Sequence, residues 1–250
     1  MLSKNEIKFF NSLKLRKFRI KHNLFIAEGE KLVFELLQSQ IKPKIIFTSK
    51  IQEFRNLTDL NAEIIEVGIP EIKKISQLVT PPTTIGIFNI PDYILDIKEI
   101  ESSLTIFCDD IQNPGNLGTI IRTADWFGIK NVLCSEHSAD IYNPKTVQAT
   151  MGAIASVRVH YVNKIIFFSS LNKVLPIYGT FLKGKNIYET DLSDKGIIII
   201  GNEGKGISCE TEQFVTERLF IPSFNTDNKS AESLNAAVAT AVICSEFRRR

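Results

Sequence analysis

Residues Asp109 to Ile129 read DDIQNPGNLGTIIRTADWFGI. The first half crowds Asn113, Pro114, Gly115, Asn116 and Gly118 into a few positions, and the second half is an apolar run of helical period carrying one cation, Arg122. Pro114 fixes its φ, while Gly115 and Gly118 tolerate dihedrals that other residues avoid, so a sharp turn is expected. Asn116 offers an amide to a ligand or to the turn itself. The helix is expected to start near Leu117, which places Arg122 about one and a half turns in, where a long side chain can reach back toward the helix start. Taken alone, the stretch is equally a helix-entry turn with a surface arginine.

What surrounds it fixes the fold class. LTIFCD precedes it, and NVLC, SVRVHYV, PIYGTF, KGIIIIGN and RLFIP follow, with helical patterns between them. Strands that are apolar throughout are buried on both faces, which predicts an α/β architecture with a mainly parallel sheet under helices. Ligands of such sheets bind beyond the carboxyl ends of the strands.

Two further strand ends carry unusual residues. GIIIIGNEGKGIS, residues 196–208, places Gly201, Gly204 and Gly206 between a strand and a helix. Its GxxGxG spacing fits neither the dinucleotide GxGxxG nor the phosphate-binding GxxxxGK[ST], and Glu203 sits in its middle, available to a cation or a helix N-terminus. IPSFNTDNKSAESLNAAVATAVICSEF, residues 221–247, sets Ser233 and Asn235 at the mouth of a small-residue helix, Ala236 to Ala241. There a Ser or Asn is an N-cap, or a polar group presented beside the other two loops.

The first half repeats the α/β theme on a smaller scale. Strands are expected near Leu24 to Ala27, Lys44 to Thr48, Glu63 to Val67 and Thr84 to Ile90, with helices at Glu30 to Gln38 and Glu71 to Leu78. PDYILDIKEIESS reads as a linker, so the domains are expected at 1–90 and 104–250 with a linker at 91–103. Near the N-terminus, Lys4, Lys8, Lys14, Arg16, Lys17, Arg19 and Lys21 face Glu6 alone, interleaved with Phe9, Phe10 and Phe18. Ser3 and Glu6 have the form of a capping box, and Ile7, Phe10 and Leu13 recur at helical spacing. An amphipathic helix with a cationic outer face is expected, either simply solvated or attractive to phosphates.

Composition excludes several classes. The charge balance, 30 Lys+Arg against 28 Asp+Glu, suits a soluble globular protein. No apolar run approaches the roughly 20 residues of a membrane span, and MLSKNEIKFF lacks a signal peptide's apolar core, so a cytoplasmic protein is expected. Cys108, Cys134, Cys209 and Cys244 form no CxxC pair, and only His22, His137 and His160 accompany them, so buried reduced thiols are expected and no metal site.

Together and in this order, NPGNLGTIIRTA, IIGNEGKGIS and IP followed by SLNAAVA resemble the three motifs of the SpoU (TrmH-like) branch of the SPOUT RNA methyltransferases. The resemblance spans roughly Thr105 to Phe247. FIAEGEKLVFELL after a basic helix resembles the L30e-like substrate-binding domain that precedes the catalytic domain in this family.

This resemblance implies an S-adenosylmethionine-dependent 2'-O-methyltransferase of RNA, rRNA more than tRNA, in which a ribose 2'-hydroxyl attacks a sulfonium methyl. It implies a C-terminal trefoil knot, a homodimer through the catalytic domain, and cofactor contacts with backbone at Thr180, Gly201, Ile221 and Leu234. Arg122 matches the family's catalytic arginine; Asn116, Glu203, Ser233 and Asn235 match its other invariant polar positions. A guanidinium pKa of roughly 12.5 to 13.8 makes neutral arginine scarce near pH 7, so Arg122 is expected to position the target phosphate or ribose and stabilise developing alkoxide. Proton loss is then expected through Ser233, water or a transiently neutral Arg122. Lys14, Arg16, Lys17 and Arg19 are expected to join Arg122 in binding RNA, supplying salt-sensitive affinity. The chain departs from the family's commonest form at SFNTDNKSAE, a longer, polar segment before Ser233. The alternative is a catalytically silent RNA-binding homologue acting in ribosome assembly. A third reading, another nucleotide cofactor at the 201–206 turn, is separable by calorimetric titration.

Overall fold

A computed structural model of the chain describes residues 2–54, 62–225 and 233–249. In chain order the first elements are α1 (Lys4–Ser12), α2 (Arg16–His22), β1 (Leu24–Glu28), α3 (Glu30–Leu37), β2 (Pro43–Thr48), β3 (Glu63–Glu66), α4 (Ile69–Ile75) and β4 (Thr84–Asn89). Then come α5 (Ile97–Ser102), β5 (Leu104–Cys108), α6 (Pro114–Trp126), β6 (Asn131–Ser135), α7 (Pro144–Thr150), β7 (Arg158–Val162) and α8 (Lys164–Ser170). The chain ends with β8 (Ile177–Asn186), β9 (Gly196–Ile200), α9 (Cys209–Glu212), β10 (Glu217–Phe220) and α10 (Ala236–Arg248).

Two compact units result: Met1–Asp92 with Asp140–Ser156, and Tyr93–Ala139 with Val157–Arg250. The first holds a four-stranded sheet in the order β1-β4-β2-β3, antiparallel except for β2–β3. Phe10, Leu13, Leu24, Ile26, Phe47, Ile72 and Ile87 fill one of its cores. Asp140–Ser156 groups with this unit, although it lies inside the span expected to be one contiguous catalytic domain. The reason is packing: Tyr142 lies against Phe25 with ring centroids 4.9 Å apart, and Asp140 Oδ2 is 2.5 Å from Arg19 Nη2.

The basic N-terminal stretch forms two helices rather than one. The capping box forms as expected, Ser3 Oγ accepting from Glu6 N and Glu6 Oε2 from Ser3 N. The helix then breaks at Leu13–Leu15, and Arg19 Nη1 takes the freed carbonyls of Leu13 and Lys14 at 2.8 and 2.7 Å. Arg19 is therefore 2% exposed and structural, which corrects its expected place on a cationic outer face. Lys14, Arg16 and Lys17 are exposed.

The second unit is a six-stranded sheet, β10-β8-β9-β5-β6-β7, with every pair parallel. The apolar runs read as doubly covered strands are those: all residues of β5, β6 and β9 are buried. Three details correct the expectations. The stretch 91–103 contains α5, capped by Asp96, with Ile100 buried in the core. α6 starts at Pro114 rather than near Leu117, because proline suits the first helical turn and Asn113 caps it, Oδ1 accepting from Gly115 N and Asn116 N. Cys209 is exposed, unlike the other three cysteines. The polar segment 223–232 lies outside the described residues from 226 onward.

Candidate active site

The connections of the parallel sheet diverge between β5 and β9. From β5 the chain runs through α6 to β6 on one side, whereas from β9 it runs through α9 to β10 on the other, beyond β8. Such a switch point leaves a crevice at the carboxyl ends of the two strands, where ligands of open α/β sheets bind. The loops that meet there are Asp109–Asn113 and Gly201–Ser208.

A directed chain of side-chain hydrogen bonds joins all three motifs at this place. Asn116 Nδ2 donates to Glu203 Oε1 at 2.9 Å, and Asn235 Nδ2 donates to Asn116 Oδ1 at 3.0 Å. Asn235 Oδ1 is already used as the N-cap of α10, accepting from Ala237 N at 2.9 Å and Val238 N at 3.4 Å. Each amide is thereby oriented by its partners: a carboxylate only accepts, so Asn116 turns its amino group to Glu203 and its oxygen to Asn235. Asn235 thus fills both roles left open for it, cap and presented polar group.

Arg122 stands eight residues into α6, about 12 Å along its axis, further from the helix start than expected. It is exposed, and among the described residues it has no hydrogen-bond or ion-pair partner. A cation without a protein partner is free for an external anion. Ser233 is exposed, two residues before the cap of α10. The structure brings Asn116, Glu203 and Asn235 into contact and leaves Arg122 and Ser233 outside that chain.

Three of the four residues expected to hold a cofactor lie on or just after adjacent strands. Ile221 follows β10, Thr180 lies on β8 just past its last pairing with β9, and Gly201 follows β9, and the sheet order sets those three strands side by side. A Cβ on Gly201 would come within 2.4 Å of the backbone of Gly206 and Ile207, so only glycine lets the 202–206 turn fold back over the strand end. Thr180 Oγ1 donates to Ile199 O at 2.9 Å, which keeps its side chain against the sheet. Leu234 presents an apolar side chain that is 51% exposed. Backbone groups on adjacent strands together with an exposed apolar side chain are of the chemistry that fits a bound nucleoside.

Sequence reasoning missed the fastening of the Glu203 turn. Asn202 Nδ2 donates to Asp110 O at 2.7 Å, while Asn202 Oδ1 accepts from Gly204 N and Lys205 N, both at 3.0 Å. Asp109, fully buried, accepts from Ser208 N at 2.7 Å. Lys164 Nζ lies 3.4 Å from Asp109, 3.0 Å from Glu210 and 2.9 Å from Ser208 Oγ. Burial lowers the Lys164 pKa, but its bond to Glu210 and the charges of Asp109 and Asp110 outweigh this and hold it above the ordinary lysine value. The N-x-G of Asn202 was a legible turn signal; Lys164, far away in sequence, carried none. Among the described residues no group of three or more His, Cys, Asp and Glu suits a metal ion, and no helix is long and apolar enough to cross a membrane.

Residues 103–245 match the SpoU rRNA Methylase family, and residues 4–86 match the MRM3-like substrate binding domain. A Bacillus subtilis protein named 23S rRNA (guanosine(2553)-2'-O)-methyltransferase RlmP is 31% identical over 98% of this chain and 97% of its own length. A solved structure from Porphyromonas gingivalis, described as an RNA methyltransferase of the TrmH family on a provisional basis, superposes with a TM-score of 0.89 at 40% identity, covering 100% and 99% of the two chains. An AdoMet-bound rRNA methyltransferase from Sinorhizobium meliloti superposes with a TM-score of 0.86 at 27% identity, covering 100% and 96%. The chain belongs to the SpoU rRNA methylase family.

Proposed function

We infer that this chain transfers a methyl group from S-adenosylmethionine to a ribose 2'-hydroxyl of rRNA. The observation that carries the inference is the Asn235–Asn116–Glu203 chain at the switch point, in a protein that covers nearly the full length of an rRNA 2'-O-methyltransferase. When bound, S-adenosylmethionine supplies an electrophilic methyl group. The backbone at Thr180, Gly201, Ile221 and Leu234 would hold that cofactor.

Arg122 binds the phosphate or ribose of the target nucleotide and stabilises negative charge developing on the 2'-oxygen. Its exposure, and the absence of a partner for it among the described residues, support this role. Loss of the 2'-hydroxyl proton is aided by Ser233, by water or by a transiently neutral Arg122. Asn116, Glu203 and Asn235 hold the two loops and the start of α10 at fixed separation, and orientation of this kind is worth up to about 7 to 11 kcal/mol of a barrier.

Residues 1–90 serve as the RNA-selecting domain and 104–250 as the catalytic domain, whose C-terminal segment is knotted, with α5 of the 91–103 stretch packed into the catalytic core and Asp140–Ser156 grouped with the first unit. Lys14, Arg16 and Lys17 supply phosphate affinity, which positions RNA without naming the nucleotide. The enzyme acts as a cytoplasmic homodimer. Trp126 on α6 is 84% exposed and Val238 on α10 is 51% exposed, and these two helices pack on each other, so their outer faces offer apolar surface to a second copy.

The test is incubation of the protein and labelled S-adenosylmethionine with separated rRNA and tRNA, followed by mapping of 2'-O-methylated positions. Label at one rRNA nucleotide is expected. Label in tRNA alone would move the substrate class, and absence of label despite cofactor binding would favour a silent RNA-binding homologue.

A further inference from the structure

The turn that carries Glu203 is fastened at both ends to the corner that leads to Asn116. At its leading end Asn202 Nδ2 donates to Asp110 O, and Asp109 N donates to Ile200 O at 2.9 Å. At its trailing end Ser208 N donates to Asp109 Oδ2. The corner itself is held in an uncommon conformation: Asp110 has φ +56°, its N–H donates to Ser135 Oγ at 2.8 Å, and the same hydroxyl donates to its carboxylate.

This arrangement buries the Asp109 carboxylate completely, and one backbone N–H does not compensate a buried charge. The second compensating group is Lys164, at the first position of α8. Its side chain is only 14% exposed, and its ammonium meets groups from both sides of the fastening: Asp109 at 3.4 Å and Asp110 at 3.9 Å on the corner, Ser208 Oγ at 2.9 Å and Glu210 at 3.0 Å where the turn enters α9. All of these residues belong to one compact unit. Three of these oxygens lie within hydrogen-bond distance of its three donors and Asp110 lies within ion-pair distance, so its loss would leave charged or polar groups on both sides without this partner at once.

We propose that Lys164 is a positioning residue for the methyl transfer, tying the Asp109–Asp110 corner to the Ser208–Glu210 segment and so fixing the Glu203 turn against Asn116. The proposal rests on the enzymatic reading above. In this role Lys164 acts through the Asn116–Glu203 hydrogen bond rather than by contact with RNA or cofactor.

The test is a double-mutant cycle of Lys164→Met and Asn116→Ala, with transfer rates normalised to sites that bind S-adenosylmethionine by calorimetry, so that loss of folded protein does not register as loss of rate. Lys164→Met is expected to lower kcat about ten- to a hundred-fold, as small displacements of reacting groups do, with KM for RNA within about two-fold. In the Asn116→Ala background the same change should alter kcat by no more than about two-fold, because the contact it supports is gone. Alongside, the Asn116 side-chain amide resonance, identified by its loss in Asn116→Ala, should move toward the position of a free asparagine. Should Lys164→Met not fold, Asp109→Asn with Lys164→Met removes the buried charge together with its partner and is read in the same way.

An active wild type with an unchanged kcat in Lys164→Met, or with equal effects in both backgrounds, would overturn the proposal and leave the enzymatic reading standing. A wild type that binds cofactor and methylates no RNA would overturn both, whatever the resonance shows.

Discussion

Asn235 Nδ2 donates to Asn116 Oδ1 at 3.0 Å across 119 residues of chain, joining the start of α10 to the start of α6. The same Asn235 caps α10 through its oxygen. One side chain thus does two separable things, and substitution can separate them. In Asn235→Asp the carboxylate still accepts from Ala237 N and Val238 N but cannot donate to Asn116. Thermal unfolding should place Asn235→Asp within about 0.5 kcal/mol of wild type and Asn235→Ala about 1 kcal/mol below it. Both should lose methyl transfer by a factor of about ten or more. Retained transfer in Asn235→Asp would show that the bridge to Asn116 has no catalytic part.

Arg19 and Arg16 lie three residues apart and should behave oppositely. Arg19 is buried, bound to Asp140 and to two carbonyls, so Arg19→Ala leaves Asp140 without its cation and should cost roughly 3 kcal/mol or more in stability. Arg16→Ala should leave the unfolding midpoint in place and weaken RNA binding, with a shallower salt dependence. Equal effects of the two on stability would contradict the placement of Arg19.

Much of this was legible in the sequence. The doubly apolar strands announced a parallel sheet because a strand covered on both faces has no polar side, and Ser3 with Glu6 announced the start of α1. The three motifs could be placed at strand ends, but which atoms would bond could not, since Asn116, Glu203 and Asn235 meet only once the sheet order is set. Arg19 was misplaced because periodicity reports a helix face and not a helix break. Lys164 gave no local signal at all: its neighbours Asp109 and Ser208 come from distant segments, and nothing in KIIFFSS distinguishes it from a solvated lysine.

His160, on β7, should make stability depend on pH. Burial lowers its pKa first, the Arg158 cation lowers it further, and Glu99 opposes in part. The folded state then binds a proton less readily than the unfolded chain. The contribution is fully present above the ordinary histidine pKa of about 6.5 and is lost as pH falls through that value toward the lower folded one. Denaturant unfolding between pH 8 and pH 5 should show this loss in wild type and a flatter profile in His160→Gln. Identical profiles would show that His160 does not set this pH dependence.

The cysteines should divide into one and three. Cys209 is exposed, while Cys108, Cys134 and Cys244 are buried. The hydrogen bond with the Cys134 thiol, then burial, raises the Cys108 pKa, and burial pushes Cys244 up to about 12. A thiol reagent at pH 8 should therefore label Cys209 alone in the native protein and all of them in denaturant, since only a thiolate reacts. Native labelling at Cys244, followed by mass spectrometry, would mean that α10 opens more readily than its packing on α6 implies.

Arg122 is proposed as the residue that meets the target nucleotide of rRNA. The most direct measurement is transfer of labelled methyl from S-adenosylmethionine to rRNA by wild type and Arg122→Ala, with cofactor affinity and unfolding recorded for both. Label is expected at one nucleotide with wild type and none with Arg122→Ala, with cofactor affinity unchanged within about two-fold and stability within about 0.5 kcal/mol, because Arg122 is exposed and has no partner among the described residues. Undiminished transfer by Arg122→Ala, or loss of its cofactor binding with the fold intact, would contradict that role.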